Sequence, residues 1–207
     1  MCIRDRLTQI RPVCVLDATH PYADEVTKNI KEACQTAGVP YMRILRENTD
    51  MTENVTGSAK AHIRVADSMR EAVDLLNDKP YLEKNILLTT GSKHLPDYTK
   101  IQDYQNRAYL RLLPSPEMLQ KAVDTGFLPA HLIAMQGPFS QELNVALIKQ
   151  SGIGVLVTKQ SGKSGGFEEK ISAAEQTGTD VIVIKRPKQE DGKNLSEAEA
   201  ELKKLMT

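Results

Sequence analysis

Short runs of β-forming residues recur along this chain, each followed by a stretch whose apolar residues repeat with helical spacing. That alternation restricts the chain to a parallel sheet covered by helices. The runs are Val13–Asp17, Tyr41–Leu45, Ile86–Thr90, Ala108–Leu113, Leu132–Met135, Val155–Thr158 and Val181–Lys185. Their apolar residues are continuous more often than alternating, the pattern of strands buried on both faces. Between them, Tyr22, Val26, Ile30, Ala33 and Ala37 form one stripe, bracketed by Pro21 and Gly38, the residues that open and close a helix. Phe139, Leu143, Ala146 and Leu147 form a second stripe, and Phe167, Ile171 and Ala174 a third on a helix ending near Gly178. Ser115-Pro116 opens another helix, and Ser196 with Glu199 reads as the capping box of a last one.

The fold class expected is α/β. From Asn48 to Ala61 the sequence is polar and patternless, a surface excursion. A second weak region, Asn77–Asn85, places a lobe boundary there, with residues 1–82 on one side and 83–207 on the other. Residues 1–6 fit poorly onto the pattern that follows and read as a non-native scar.

Charge and cysteine content bound the partners. The chain has 27 Lys+Arg against 27 Asp+Glu, so no global field holds DNA, RNA or an anionic membrane, and any basic recognition is local. Neither nucleic acid nor membrane is expected as a partner. The three cysteines, Cys2, Cys14 and Cys34, are odd in number and lack CxxC spacing, which favours a reducing, cytoplasmic setting over a disulfide framework. No apolar run approaches the length of a membrane helix.

Several catalytic patterns fail on physical grounds. Gly162-Lys163-Ser164 resembles the end of a phosphate-binding P-loop, but Val157 stands where that loop needs its first glycine. The same stretch matches G-x-S-x-G, yet Ser164 lies several residues beyond its strand and no histidine follows His131. His20, His62, His94 and His131 show no metal-ligand spacing, so no metal is expected. No G-x-G-x-x-G turn follows the first strand.

What remains is a set of polar turns at strand C-termini, where open α/β sheets place their ligands. They are Asp17-Ala18-Thr19-His20-Pro21, Thr89-Thr90-Gly91-Ser92-Lys93, Met135-Gln136-Gly137-Pro138-Phe139 and Thr158-Lys159-Gln160-Ser161-Gly162. Glycine N–H groups, helix N-termini and hydroxyls suit an anionic organic ligand, with Arg43, Arg46, Arg111, Lys159 and Lys170 as candidate carboxylate partners.

These turns, together with Arg111-Leu112-Leu113-Pro114 and the stretch from Ile133 to Ser140, closely resemble the precorrin-6A reductases, including the cobalt-precorrin-6A reductases. The likeness runs in order from about Leu7 to Pro187. It implies two Rossmann-like lobes with parallel sheets, and a reduced nicotinamide, NADPH or NADH, that saturates one double bond of a corrin-precursor macrocycle. Members of that family open with an extra strand, a Gly-Gly-Thr turn and a helix. This sequence lacks them, so the N-terminal lobe is expected to be incomplete.

On this resemblance Asp17 and His20 are the catalytic candidates. Thr19, Arg43, Arg111, Gln136, Lys159, Ser161 and Gly162 are assigned to the substrate, and Thr90, Gly91 and Ser92 to the cofactor. The partner implied is a small-molecule tetrapyrrole, and the chain is expected to be a monomer or weak homo-oligomer. A non-redox α/β module that binds an anionic small molecule is the alternative.

Overall fold

The computed structural model describes residues 3–19, 23–45, 62–160, 166–185 and 192–205. The first half comprises α1 (Ile3–Ile10), β1 (Val15–Asp17), α2 (Asp24–Ala37), β2 (Tyr41–Arg43), β3 (Ile63–Ala66), α3 (Met69–Leu76) and β4 (Asn85–Leu88). Next come a 3₁₀ turn (Ser92–His94), α4 (Leu95–Tyr98), α5 (Tyr104–Arg107), β5 (Ala108–Leu112) and α6 (Pro116–Asp124). A second 3₁₀ turn (Pro129–His131), β6 (Leu132–Ala134), α7 (Gln141–Gln150), β7 (Ile153–Lys159), α8 (Phe167–Thr177), β8 (Asp180–Ile184) and α9 (Leu195–Leu205) complete it. Two compact units result, residues 1–49 with 187–207, and residues 50–186.

The second unit is a six-stranded sheet in the order β3-β8-β7-β4-β5-β6, with every pairing parallel. The chain runs outward from β4 through β5 to β6, returns to lay β7 beside β4, and then runs the other way to β8. The reversal between β4 and β7 is a topological switch point, the place where sheets of this kind open a crevice at their strand C-termini. Each face is covered. Ile86, Leu88, Leu110, Val155, Val157 and Ile182 pack on one side with Val73, Leu76, Tyr98 and Phe127. Leu87, Leu156, Val181 and Val183 pack on the other with Val145 and Ile148 of α7 and Phe167 and Ile171 of α8. Double coverage is why the strands read as continuous apolar runs.

The first unit pairs β1 with β2 in parallel, Val15 beside Tyr41 and Asp17 beside Arg43. Leu7 of α1 packs on Ala33 and Cys34 of α2. Gly38 closes α2 in the left-handed conformation, φ +66°, which a side chain rarely adopts. The later segment joins through a parallel bridge between Ile44 and Lys193.

All seven strands read from the sequence are present; the differences lie elsewhere. Ile63–Ala66 escaped notice as β3 because an edge strand of four residues, bounded by a polar stretch, carries little periodic signal. It pairs with β8, so the boundary expected at 82/83 falls inside one sheet. The weak-pattern segment that suggested it is pinned by the buried Arg107. This guanidinium donates to the carbonyl oxygens of Leu76 (2.9 Å), Tyr81 (2.8 Å), Lys84 (3.0 Å) and Gln102 (2.7 Å). Lys84 adds an ion pair to Asp180 of β8 at 2.5 Å. Residues 3–6, part of the stretch read as a non-native scar, form the opening turn of α1. The capping box of α9 is Asn194 with Glu197, not Ser196 with Glu199: each backbone N–H meets the other's side-chain oxygen at 2.9 Å. On α7 the buried face is Asn144, Val145 and Ile148, not the stripe through Ala146, and Val26 of α2 is exposed.

Candidate functional site

The residues expected at the site fall at two sheet ends, one in each unit. Parallel pairing of β1 with β2 sets Asp17 and Arg43 side by side at their C-termini. Asp17 Oδ1 and Arg43 Nη1 form an ion pair at 2.6 Å, buried on both sides. Tyr41 donates its hydroxyl to Asp17 Oδ2 (2.8 Å), and the Thr19 N–H donates to Oδ1 (3.0 Å). Arg43 in turn donates to Thr19 Oγ1 (2.6 Å) and to the Thr19 carbonyl (3.0 Å). Burial opposes the Asp17 charge, but the bonds from Thr19, Tyr41 and Arg43 outweigh it and hold the carboxyl at about 2. Burial, followed by the neighbouring Asp17, pushes the Tyr41 hydroxyl up to about 12. Both charges of this pair are engaged within the protein, so its direct chemistry is to fix the turn through Thr19. His20 lies outside the described residues.

The second sheet end is open. A cleft of about 280 Å³ lies beyond β4, β5 and β6, lined by Thr89, Gly91, Arg111, Met135, Phe139 and Lys170, among others. Gly91, at φ +79°, has no heavy atom within 4 Å of where a β-carbon would stand, so its backbone is open to a ligand. The hydroxyls beside it are committed: Thr90 is buried and hydrogen-bonded to the Tyr98 hydroxyl, Tyr98 donates to the Gly91 carbonyl (2.8 Å), and Ser92 Oγ lies 3.1 Å from Met118 Sδ. A ligand here meets backbone groups rather than these hydroxyls. Gln136 is exposed between the lining residues Met135 and Gly137.

Arg111 of β5 enters the cleft from below. Its Nη1 donates to Asn144 Oδ1 of α7 at 2.8 Å, and its guanidinium carbon lies 4.3 Å from the centre of the Phe139 ring. Burial alone lowers its pKa, to about 10. Lys170 of α8 is also buried; burial first, then the Arg111 charge, pull its pKa down to about 8, with Glu169 acting in the opposite direction.

At the switch point β7 ends in Lys159, half-buried beside the β4 turn. The His94 ring there meets Asp97 at 3.2 Å, and burial, with the Lys159 charge contributing, lowers its pKa. Ser161 and Gly162 lie outside the described residues. Among the described residues no group of three or more His, Cys, Asp or Glu is arranged to hold a metal, and no helix is long and apolar enough to cross a membrane.

Gly91, Arg111 and Lys170 are therefore brought to one cleft, with Thr90, Ser92 and Gln136 at its margins, while Asp17, Thr19 and Arg43 belong to the other unit. Sequence reasoning passed over Asn144, because an asparagine between apolar helix positions reads as an outward residue. Its only signal was its spacing from Val145 and Ile148, the face that turned out to be buried.

The family model described as precorrin-6x reductase CbiJ/CobK matches residues 2–204. A cobalt-precorrin-6A reductase of Priestia megaterium is 37% identical over 183 residues, covering 86% of this chain and 67% of the relative. Those of Methanothermobacter thermautotrophicus and Salmonella typhimurium are each 34% identical, covering 89% and 87% of this chain and 58% and 65% of their own length. The chain thus spans roughly three-fifths to two-thirds of these relatives. A solved structure, CobK precorrin-6A reductase, superposes with a TM-score of 0.68 at 25% identity, covering 98% of this chain and 78% of that one. With a family match over nearly its whole length and the parallel α/β architecture of that solved reductase, the chain belongs to the precorrin-6x reductase family.

Proposed function

We propose that this chain carries out the reduction for which its relatives are named, saturating one double bond of a precorrin-6A macrocycle with hydride from NADPH or NADH. The observation that carries the reading is the cleft beyond β4, β5 and β6, where an open glycine turn stands beside a buried arginine with no carboxylate partner among the described residues. A nicotinamide dinucleotide fits beside Gly91, where the backbone is unobstructed; when bound, it supplies the hydride. The relatives described above are named for cobalt-precorrin-6A, which supports the cobalt-containing form as substrate.

The chain's own residues do the remaining work. Arg111, with Lys159 and Gln136, holds the carboxylate arms of the macrocycle, and the apolar rim of Leu113, Met135 and Pro138 excludes water from the ring. Thr90 and Ser92 shape the Gly91 turn from behind. Asp17 stays ionised at neutral pH, so it positions the turn after β1 through Arg43 and Thr19, and His20, next to Thr19 in the sequence, is the proposed proton donor. Ser161 and Gly162 are assigned to the substrate on family resemblance alone. The protein is proposed to act in the cytoplasm, as a monomer or weak homo-oligomer.

The test is an anaerobic assay with precorrin-6A or its cobalt form and each reduced nicotinamide, following loss of nicotinamide absorbance and the product mass. Nicotinamide-dependent gain of one hydride and one proton is expected. Tight macrocycle binding without nicotinamide oxidation would instead make the chain a non-redox anion-binding module.

A further inference from the structure

The geometry points to Arg111 and Lys170 as the two jaws of one oxyanion clamp, taking a single carboxylate or phosphate group, with Asn144 as the residue that positions Arg111. The clamp deepens the reductase reading by naming what the cleft grips, and rests on it only for the ligand's identity.

Two buried like charges face one cleft. Arg111 is 6% exposed and Lys170 8%, and each sits where desolvation disfavours its charge. Burying a cation is costly unless an anion or a full set of acceptors offsets it, and placing a second cation nearby raises the cost. Elsewhere in this unit that demand is met internally: Arg107 has four carbonyl acceptors, and Lys84 has Asp180. At Arg111 it is not. Among the described residues its one hydrogen bond goes to a neutral amide, at 2.8 Å, and its flat face rests on Phe139. These two contacts fix the plane of the guanidinium and leave its other N–H groups for an acceptor that the described residues do not supply.

Glu169 is the acid whose charge acts on Lys170, and its upward pull is smaller than the downward pull of burial and of Arg111. Size sets the rest. A cleft of about 280 Å³ falls below the roughly 300–1,000 Å³ of sites that enclose a drug-sized ligand, so it takes one arm of a larger molecule. A carboxylate arm of the macrocycle and a phosphate of the dinucleotide share the chemistry that the jaws recognise.

Calorimetric titration of the full chain separates the two sources. The probes are cobyrinic acid, a corrin polycarboxylate; its fully methylated ester, which keeps the ring and loses the charges; and NADP⁺. Arg111→Met and Lys170→Met are each expected to weaken cobyrinic acid by about ten- to hundredfold, the usual loss for a charge-assisted contact, more at low salt than at high. Lys170→Arg recovers most of that loss. Asn144→Leu weakens the acid by less, about three- to tenfold, and leaves the ester unchanged, a split that general unfolding of the cleft does not produce.

If NADP⁺ weakens while cobyrinic acid does not, the clamp stands and its oxyanion is a nucleotide phosphate. Three results overturn the clamp: affinities for both anions within about twofold of the parent, a parallel loss for the ester, or a parent chain that binds none of the probes. A variant that loses its circular-dichroism signal is replaced by Arg111→Lys or Lys170→Gln and read by the same titrations. Because the measurement is of binding, a chain with this pattern but no turnover keeps the clamp and loses the reductase reading.

Discussion

Arg43 and Arg111 stand at the ends of parallel strands in different units, equally buried, and they do opposite things. Arg43 meets a carboxylate at 2.6 Å and both oxygens of Thr19, so its charge is consumed in holding the strand end together. Arg111 meets an amide, an aromatic face and a second cation. A basic residue at a strand end therefore says little about ligand binding until its partners are counted. Where the protein supplies the counter-charge the residue is structural, and where it does not the ligand must.

The sharpest way to break this contrast is to replace each arginine by methionine and measure stability. Arg43→Met strands a buried carboxylate and should cost about 3–5 kcal/mol, read as loss of hydrogen-exchange protection in β1 and β2. Arg111→Met removes a buried charge that has no counter-ion among the described residues and should cost less than about 1 kcal/mol, read in β5. Equal losses would refute the distinction.

Acid titration sharpens the closed end. The Asp17 carboxyl is lowered from 3.8 to about 2, so the native state binds fewer protons than the unfolded chain between those values. Its stabilisation is complete above about pH 4 and is lost as the pH falls toward 2, a contribution of about 2 kcal/mol. An acid denaturation curve of Asp17→Asn should lack that component.

Alkaline titration does the same for the open end. Lys170 is lowered from 10.5 to about 8, and the groups acting on it are Arg111 and Glu169. Anion affinity should fall as the pH rises past about 8, by about tenfold over the next one to two units. In Lys170→Met the profile should be flat from about pH 8 to 9, below the range in which Arg111, at about 10, begins to lose its charge.

The smallest test applies the same counting to a neutral pair. Asn194→Ala removes the capping oxygen of α9 and should cost about 1 kcal/mol, while Ser196→Ala should change stability by less than about 0.5 kcal/mol. Thermal unfolding of the two variants side by side decides which residue caps the helix.

Much of the fold was legible because its signals are local. Seven strands announced themselves as apolar runs, and Gly38 and Gly178 marked helix ends, since a left-handed residue is needed where the chain leaves a helix. Of the cleft, Gly91 was legible as a flexible residue directly after a strand run, and Arg111 as a charged residue within one. Lys170 appeared only as one base among several. Asn144 was invisible, because its role depends on which helix face meets β5. The lobe boundary was misplaced for a related reason: the segment from 77 to 85 lacks periodicity, yet Arg107 and Lys84 hold it in the sheet through partners far along the chain.

By itself the sequence determined the order and kind of the elements and the double coverage of the sheet. Periodicity and end signals act over a few residues and need no knowledge of what lies across the fold. Only the tertiary structure decided that β3 closes one sheet edge beside β8, that Asp17 neutralises Arg43, and that Arg111 lines a cleft with Lys170 and has no carboxylate partner among the described residues. Whether a charge is satisfied depends on contacts between residues distant in the chain, and in a buried site that balance, more than residue type, separates a structural ion pair from a ligand's anchor.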